Sequence, residues 1–197
     1  MKRHLRIPLF LLISLLNSLA SYASNEMSFH QLGVKTGMSD NYIQAIERDK
    51  YGFMWFATRD GLNRYDGYHF KTYTTLRQGA YNNSVEWVAE DAAGNIWIKT
   101  PVNYCFYDRE MDELDNRTEL LLHKIGIFES PRQLFIDDDK NLWCVADNTL
   151  YYYIFSDETL YKQSLPGSVN IADMACRNKR CYILMTDGNV INIDWMH

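Results

Sequence analysis

The apolar positions of this chain fall in short runs separated by turn residues. "YIQAIE" (42–47), "FMWFAT" (53–58), "LNRY" (62–65) and "FKTY" (70–73) are each rich in β-formers and bounded by Gly, Asp or Asn. That pattern predicts four short strands within about thirty residues. No long apolar stripe of helical period survives the Gly, Asn and Asp content beyond the first twenty-odd residues. "ELLLHKIGIF" at 119–128 is the ambiguous run, and it reads as a connection carrying a helical turn.

The pattern repeats. "DKYGFMW" (49–55), "DAAGNIW" (91–97) and "DDDKNLW" (137–143) each place an aspartate six residues before a tryptophan. Trp55, Trp97 and Trp143 are 42 and 46 residues apart, and each is followed ten residues later by a tyrosine: Tyr65, Tyr107 and Tyr153. A degenerate fourth copy, "CRNKRCYILMTDG" (176–188), has Tyr182 in the tryptophan's place. A period near forty with four strands per repeat predicts an all-β fold, a β-propeller with about four blades of four antiparallel strands. The blades fall near 33–73, 74–115, 116–162 and 163–197. In each, Asp49, Asp91 and Asp137 should accept backbone N–H groups in a turn. Gly52 and Gly94 supply a positive φ there, and Gly61 turns the chain into the third strand. The tryptophans should pack against the next blade, and a residue class present in every blade reads as scaffold rather than chemistry. Residues 27–32 resemble an outer strand without its inner partners, the pattern of a ring-closing strand. The chain therefore reads as part of a larger ring and a longer protein.

Residues 1–23 stand apart. Lys2, Arg3 and Arg6 precede an apolar stretch from Ile7 to Leu16, and Ser21-Tyr22-Ala23 has the small-x-small form of a cleavage site. This is a secretory signal peptide, with an uncleaved anchor helix as the alternative. Net charge is −5 over the chain and −8 without the leader. That sign, with no basic block, excludes a nucleic-acid binder. Export makes a disulfide available to Cys176 and Cys181 if "RNKR" between them is a hairpin turn, whereas Cys105 and Cys144 lie in apolar runs as buried thiols.

Residues 32–73, "LGVKTGMSDNYIQAIERDKYGFMWFATRDGLNRYDGYHFKTY", closely resemble the first blade of the two-component-regulator propeller repeat. Residues 84–108 match more loosely; 131–155 keep Asp and Trp but carry Lys140 at the turn glycine. The resemblance implies the N-terminal periplasmic propeller of a Bacteroidetes hybrid sensor histidine kinase. Its parent would hold two seven-bladed propellers and a β-sandwich outside the inner membrane. A membrane helix, kinase, receiver and AraC-type DNA-binding domain would follow. Such sensors detect oligosaccharides from glycan breakdown and act as dimers. This chain would then be the sensing part alone, with no output domain, and partnered by the remaining blades.

Catalytic motifs are not found: there is no nucleophile elbow, zinc-protease helix or P-loop. "DDDKN" (137–141) opens like a calcium loop, but Leu142 and Asn148 occupy its Gly and Glu positions. No metal or other cofactor is expected. Propellers bind through loops at the ring's mouth. Arg59, Asp60, Asn63 and Arg64 lie in such a loop, where the arginines suit a carboxylate or sulfate of an acidic sugar. The plainer reading is a solvated charged hairpin. Two other functions stay open: part of a sialidase- or lyase-like propeller enzyme, or a free-standing binding module.

Overall fold

The computed structural model describes residues 29–74, 83–167 and 170–195. The signal-peptide reading and residues 27–28 of the closing-strand reading lie outside them. Two compact units are present, Met1–Gln31 and Leu32–His197. The described residues of the first, 29–31, carry no strand. Among the described residues no helix is long and apolar enough to cross a membrane.

The second unit is all-β apart from short helical turns. Its first sheet is β1 (Ile43–Arg48), β2 (Met54–Thr58), β3 (Gly61–Tyr65) and β4 (Phe70–Tyr73). The second is β5 (Trp87–Glu90), β6 (Ile96–Lys99), β7 (Tyr104–Asp108) and β8 (Glu113–Asp115). The third is β9 (Pro131–Ile136), β10 (Leu142–Ala146), β11 (Thr149–Ile154) and β12 (Thr159–Ser164). Each is an antiparallel meander with strands in chain order. The fourth sheet, β13 (Ile171–Arg177), β14 (Arg180–Met185) and β15 (Val190–Asp194), has three strands where four were expected. The run at 119–128 forms the short helix α1 (Glu119–Leu122) and a further 3-10 turn over His123–Ile125, ended by Gly126.

The sheets stack face to face, and burial records which faces are covered. β10 is buried along its whole length, because the third sheet has a neighbour on each side. In β13 and β14 burial alternates: Met174, Cys176, Cys181 and Ile183 point to the third sheet, while Tyr182 and Leu184 face outward. A one-sided sheet must show that period of two. Tyr182, standing in the tryptophan's place, thus lies on the uncovered face.

Three apolar clusters fill the three interfaces, each centred on one tryptophan. Trp55 packs with Val88, Ile96, Ile98 and Tyr107 of the second sheet. Trp97 packs with Leu134, Leu142 and Tyr153 of the third, with Leu122 and Ile127 from the α1 connection filling the wedge. Trp143 packs with Met174, Cys181 and Ile183 of the fourth. All three indoles are at most 1% exposed. Each therefore faces the following sheet, as the repeat predicts. Tyr107 and Tyr153 face back toward the preceding sheet, and Tyr107 lies 4.8 Å from the Trp55 ring. Tyr65 is half-buried and stacks on Phe70 instead.

Candidate functional site

The six-residue spacing from Asp to Trp has a hydrogen-bonding cause. Asp49 Oδ1 accepts the backbone N–H groups of Tyr51 and Phe53, each at 3.0 Å, and Oδ2 accepts Trp55 Nε1–H at 3.0 Å. Asp91 accepts Asn95 N–H at 2.9 Å and Trp97 Nε1–H at 2.8 Å. Asp137 accepts Asn141 N–H at 2.9 Å and Trp143 Nε1–H at 2.9 Å. One carboxylate thus closes the turn and caps the buried indole, whose N–H would otherwise be costly to bury. The turn position three after the aspartate is left-handed in all three copies: Gly52 and Gly94 at φ 91°, Lys140 at φ 62°. Lys140 adopts a conformation that L side chains resist. Its side chain pairs with Glu47 of the first sheet, and its carbonyl accepts Ala92 N–H at 2.9 Å.

The turns are joined to one another. Lys50 N–H donates to the Glu90 carboxylate at 3.0 Å, and Lys50 Nζ to the Ala93 carbonyl at 2.7 Å. Arg109 lies over the Tyr51 ring at 4.5 Å and donates to Asp49 Oδ2 at 3.3 Å and to the Gly94 carbonyl at 3.1 Å. The first strands β1, β5 and β9 flank a groove of about 370 Å³, lined by Ala45, Ala89 and Ile136 with the Glu47–Lys140 pair at its edge.

The four candidate loop residues divide. Arg59 and Asp60 are exposed in the β2–β3 turn, at the strand ends opposite the Asp turns. The Arg59 guanidinium lies 3.6 Å from the centroid of the exposed Tyr42 ring. Asp60 Oδ1 accepts Asn83 Nδ2–H at 3.0 Å, and nearby Gln44 Nε2 donates to Ser84 Oγ at 3.1 Å and the Val85 carbonyl at 2.9 Å. Asn63 is fully buried: its Oδ1 accepts Ser39 N–H and Thr72 Oγ1–H, and its Nδ2 donates to Ser39 Oγ. Arg64 points into the interface between the first two sheets, above Phe53, and donates to Tyr107 Oη at 2.6 Å and Asp112 Oδ1 at 3.3 Å. Adjacent strand residues face opposite sides, so Asn63 and Arg64 cannot share one site with each other. Their hydrogen bonds are internal, and Arg59 and Asp60 alone of the four stay exposed in the β2–β3 turn. Tyr42 and Asn83 join them there, unannounced by any motif.

Asp112 is a hub that the sequence did not reveal. It accepts from Tyr107 Oη at 2.6 Å, Tyr73 Oη at 2.7 Å and Arg64, and Lys71 Nζ is also bonded to it. Partial burial raises its pKa, but these donors and the Arg64 charge outweigh that and hold the carboxyl well below the usual range. Burial first, and then the bond to Asp112, push the Tyr73 and Tyr107 hydroxyls up. Cys105 and Cys144 are buried free thiols, each pushed up to about 12 by burial, and inert as nucleophiles at neutral pH. Cys176 and Cys181 lie directly opposite each other on β13 and β14 and are joined as a disulfide. Among the described residues no His, Cys, Asp and Glu group is placed to hold a metal.

Residues 37–60 match the model of the two-component regulator propeller family. A 37-residue segment is 51% identical to "Histidine kinase P4" of Formosa agariphila, covering 19% of this chain and 3% of that protein. The extracellular domain of a hybrid two-component system of B. thetaiotaomicron aligns with 88% of this chain at 18% identity and TM-score 0.46. Virginiamycin B lyase of Staphylococcus aureus aligns with 82% at 13% identity and TM-score 0.45. The chain spans about 31% of the first of these structures and 58% of the second.

Proposed function

We propose that this chain is the ligand-recognising segment of an extracytoplasmic sensor. Its kinase and DNA-binding output would lie elsewhere in a parent hybrid two-component protein. The supporting observations are the propeller-repeat match at residues 37–60 and, separately, a 37-residue segment 51% identical to part of a histidine kinase. The parent's ring would be seven-bladed and its active form a dimer, anchored in the inner membrane with the propeller in the periplasm. The ligand is a glycan-derived oligosaccharide carrying an acidic group. Arg59 offers a guanidinium fork for a carboxylate or sulfate, Tyr42 a ring face, and Asp60 and Asn83 polar groups for hydroxyls.

The test is calorimetric titration of the chain with sulfated and uronic-acid disaccharides, beside the Arg59→Ala variant. Binding of one such sugar that falls at least tenfold in the variant supports the reading. Equal binding by variant and parent, or no binding of any acidic sugar, contradicts this site. In the gene, a reading frame that runs on past codon 197 into a membrane span and kinase motifs supports the sensor assignment. A stop at that codon contradicts it.

A further inference from the structure

Every interface inside the second unit joins two unlike faces. One sheet presents its tryptophan, and the next presents back-facing apolar residues, Tyr107 in the first interface and Tyr153 in the second among them. A residue of the intervening connection fills the wedge: Val85, Leu122 and Leu165 in turn. The two end sheets carry the same two faces, each of them open. On the fourth, Tyr182, Leu184 and Val190 are 46%, 41% and 59% exposed, with Tyr182 in the tryptophan's place. On the first, strand alternation turns Ile46, Phe56 and Tyr65 away from Trp55. Tyr65 holds the position of Tyr107 and Tyr153, and Met38 is buried ahead of the sheet as the wedge residues are. Ile46 is left 54% exposed.

The charges at one rim also match. Across the first interface Arg109, two residues after Tyr107, reaches Asp49. At the two ends the signs are exchanged. Arg177 lies two residues beyond the strand partner of Tyr182, as Asp49 lies two beyond that of Trp55. It is exposed, with Asp138 beside it at 3.2 Å. On the first sheet the exposed carboxylate of Asp66 follows Tyr65. A face that fits an unlike face of the same molecule gives head-to-tail association, which ends in a ring when the rotation closes. We propose that the outward face of the fourth sheet docks on the outward face of the first sheet of a second copy of this chain. Each copy has four sheets, so two copies joined at both ends make a closed ring of eight, within the range of about four to eight that propellers use. The inference goes beyond the sensor reading and uses neither Arg59 nor an output domain.

The test is sedimentation velocity of the whole chain over a concentration series, beside Leu184→Lys and Ile46→Glu. The unmodified chain should sediment as a two-chain species that dissociates on dilution. Each variant puts a charge into an apolar contact and should raise the dissociation constant at least about tenfold. Both positions are exposed, so the near-ultraviolet circular dichroism of each variant should match that of the unmodified chain. Mixing the two variants should restore the two-chain species, because one of its junctions is then unaltered and the other brings Lys to the face that carries Glu. A monomer at every concentration overturns the proposal. So does a dimer that both variants leave intact, a species that grows without limit, or a mixture that behaves like either variant alone.

Discussion

Replacing Asp91 by Asn isolates the contribution of one carboxylate to one blade. Asp91 Oδ2 accepts Trp97 Nε1–H at 2.8 Å and Asn95 Nδ2–H at 2.7 Å, and Oδ1 accepts Asn95 N–H at 2.9 Å. An asparagine keeps the shape and one acceptor oxygen. In its better orientation the amide nitrogen faces the Asn95 backbone N–H, so one buried donor loses its partner. That costs about 1–3 kcal/mol, and the two remaining bonds lose the strengthening a charge gives. The sum is about 2–4 kcal/mol, or roughly 5–15 °C in melting temperature for a domain of this size. The specific claim is the bond to the indole, which a double-mutant cycle with Trp97→Phe reads by urea denaturation. The phenyl ring has no N–H, so the aspartate loses part of its purpose in that background. Coupling should be about 1.5–3 kcal/mol, the range for a hydrogen bond to a charged group. Additive losses, with coupling below about 0.5 kcal/mol, would refute the indole cap as the reason for the spacing.

Trp55→Ala should lower stability by about 3–5 kcal/mol in denaturant melts, since the indole is wholly buried against the second sheet; unchanged melting would contradict its interface role. Lys140→Gly should raise melting temperature slightly. It relieves left-handed strain of about 1–2 kcal/mol and forfeits a partly exposed ion pair to Glu47 of about 0–1 kcal/mol; a clear loss of stability would show that the pair outweighs the strain. Asp112→Asn should destabilise the chain at neutral pH. Because the folded-state pKa is depressed, the aspartate's contribution is fully present above the unfolded value near 4. It is lost as pH falls through the lower folded value, so parent and variant should converge below about pH 4; a constant gap down to pH 2 would refute the hub. Denaturation without reductant should expose two alkylatable thiols, Cys105 and Cys144, and denaturation with reductant all four; four without reductant would mean Cys176 and Cys181 are unpaired.

Much of the fold was legible because each blade repeats a local code. The runs at 43–48, 54–58, 61–65 and 70–73 are strands because β-formers alternate with turn residues whose dihedrals only a few side chains tolerate. The tryptophan's direction followed from the repeat. Its cap did not, because a turn motif calls only for backbone N–H donors to the aspartate, whereas the need of the indole N–H for an acceptor arises from burial by the next sheet. Lys140 looked like a lapse in the pattern, yet the turn keeps its left-handed residue, held by contacts to Glu47 and Ala92 that no local spacing announces. Charge and turn position pointed to Arg59 and Asp60, but strand alternation sends Asn63 and Arg64 to opposite sheet faces. Arg109 and Asp112 lay beyond sequence reasoning altogether, because each is held by a partner across an interface, Asp49 for Arg109 and Tyr73 for Asp112, 60 and 39 residues away.

Three carboxylate-capped indoles lock successive sheets together. The chain has five tryptophans. Exchange of their indole N–H protons, followed by nitrogen-edited NMR in D2O, reads each cap directly. Trp55, Trp97 and Trp143 should exchange orders of magnitude more slowly than Trp87 and Trp195, and Asp91→Asn should speed Trp97 more than the other two. Five indoles exchanging alike, or a Trp97 rate indifferent to Asp91, would contradict it.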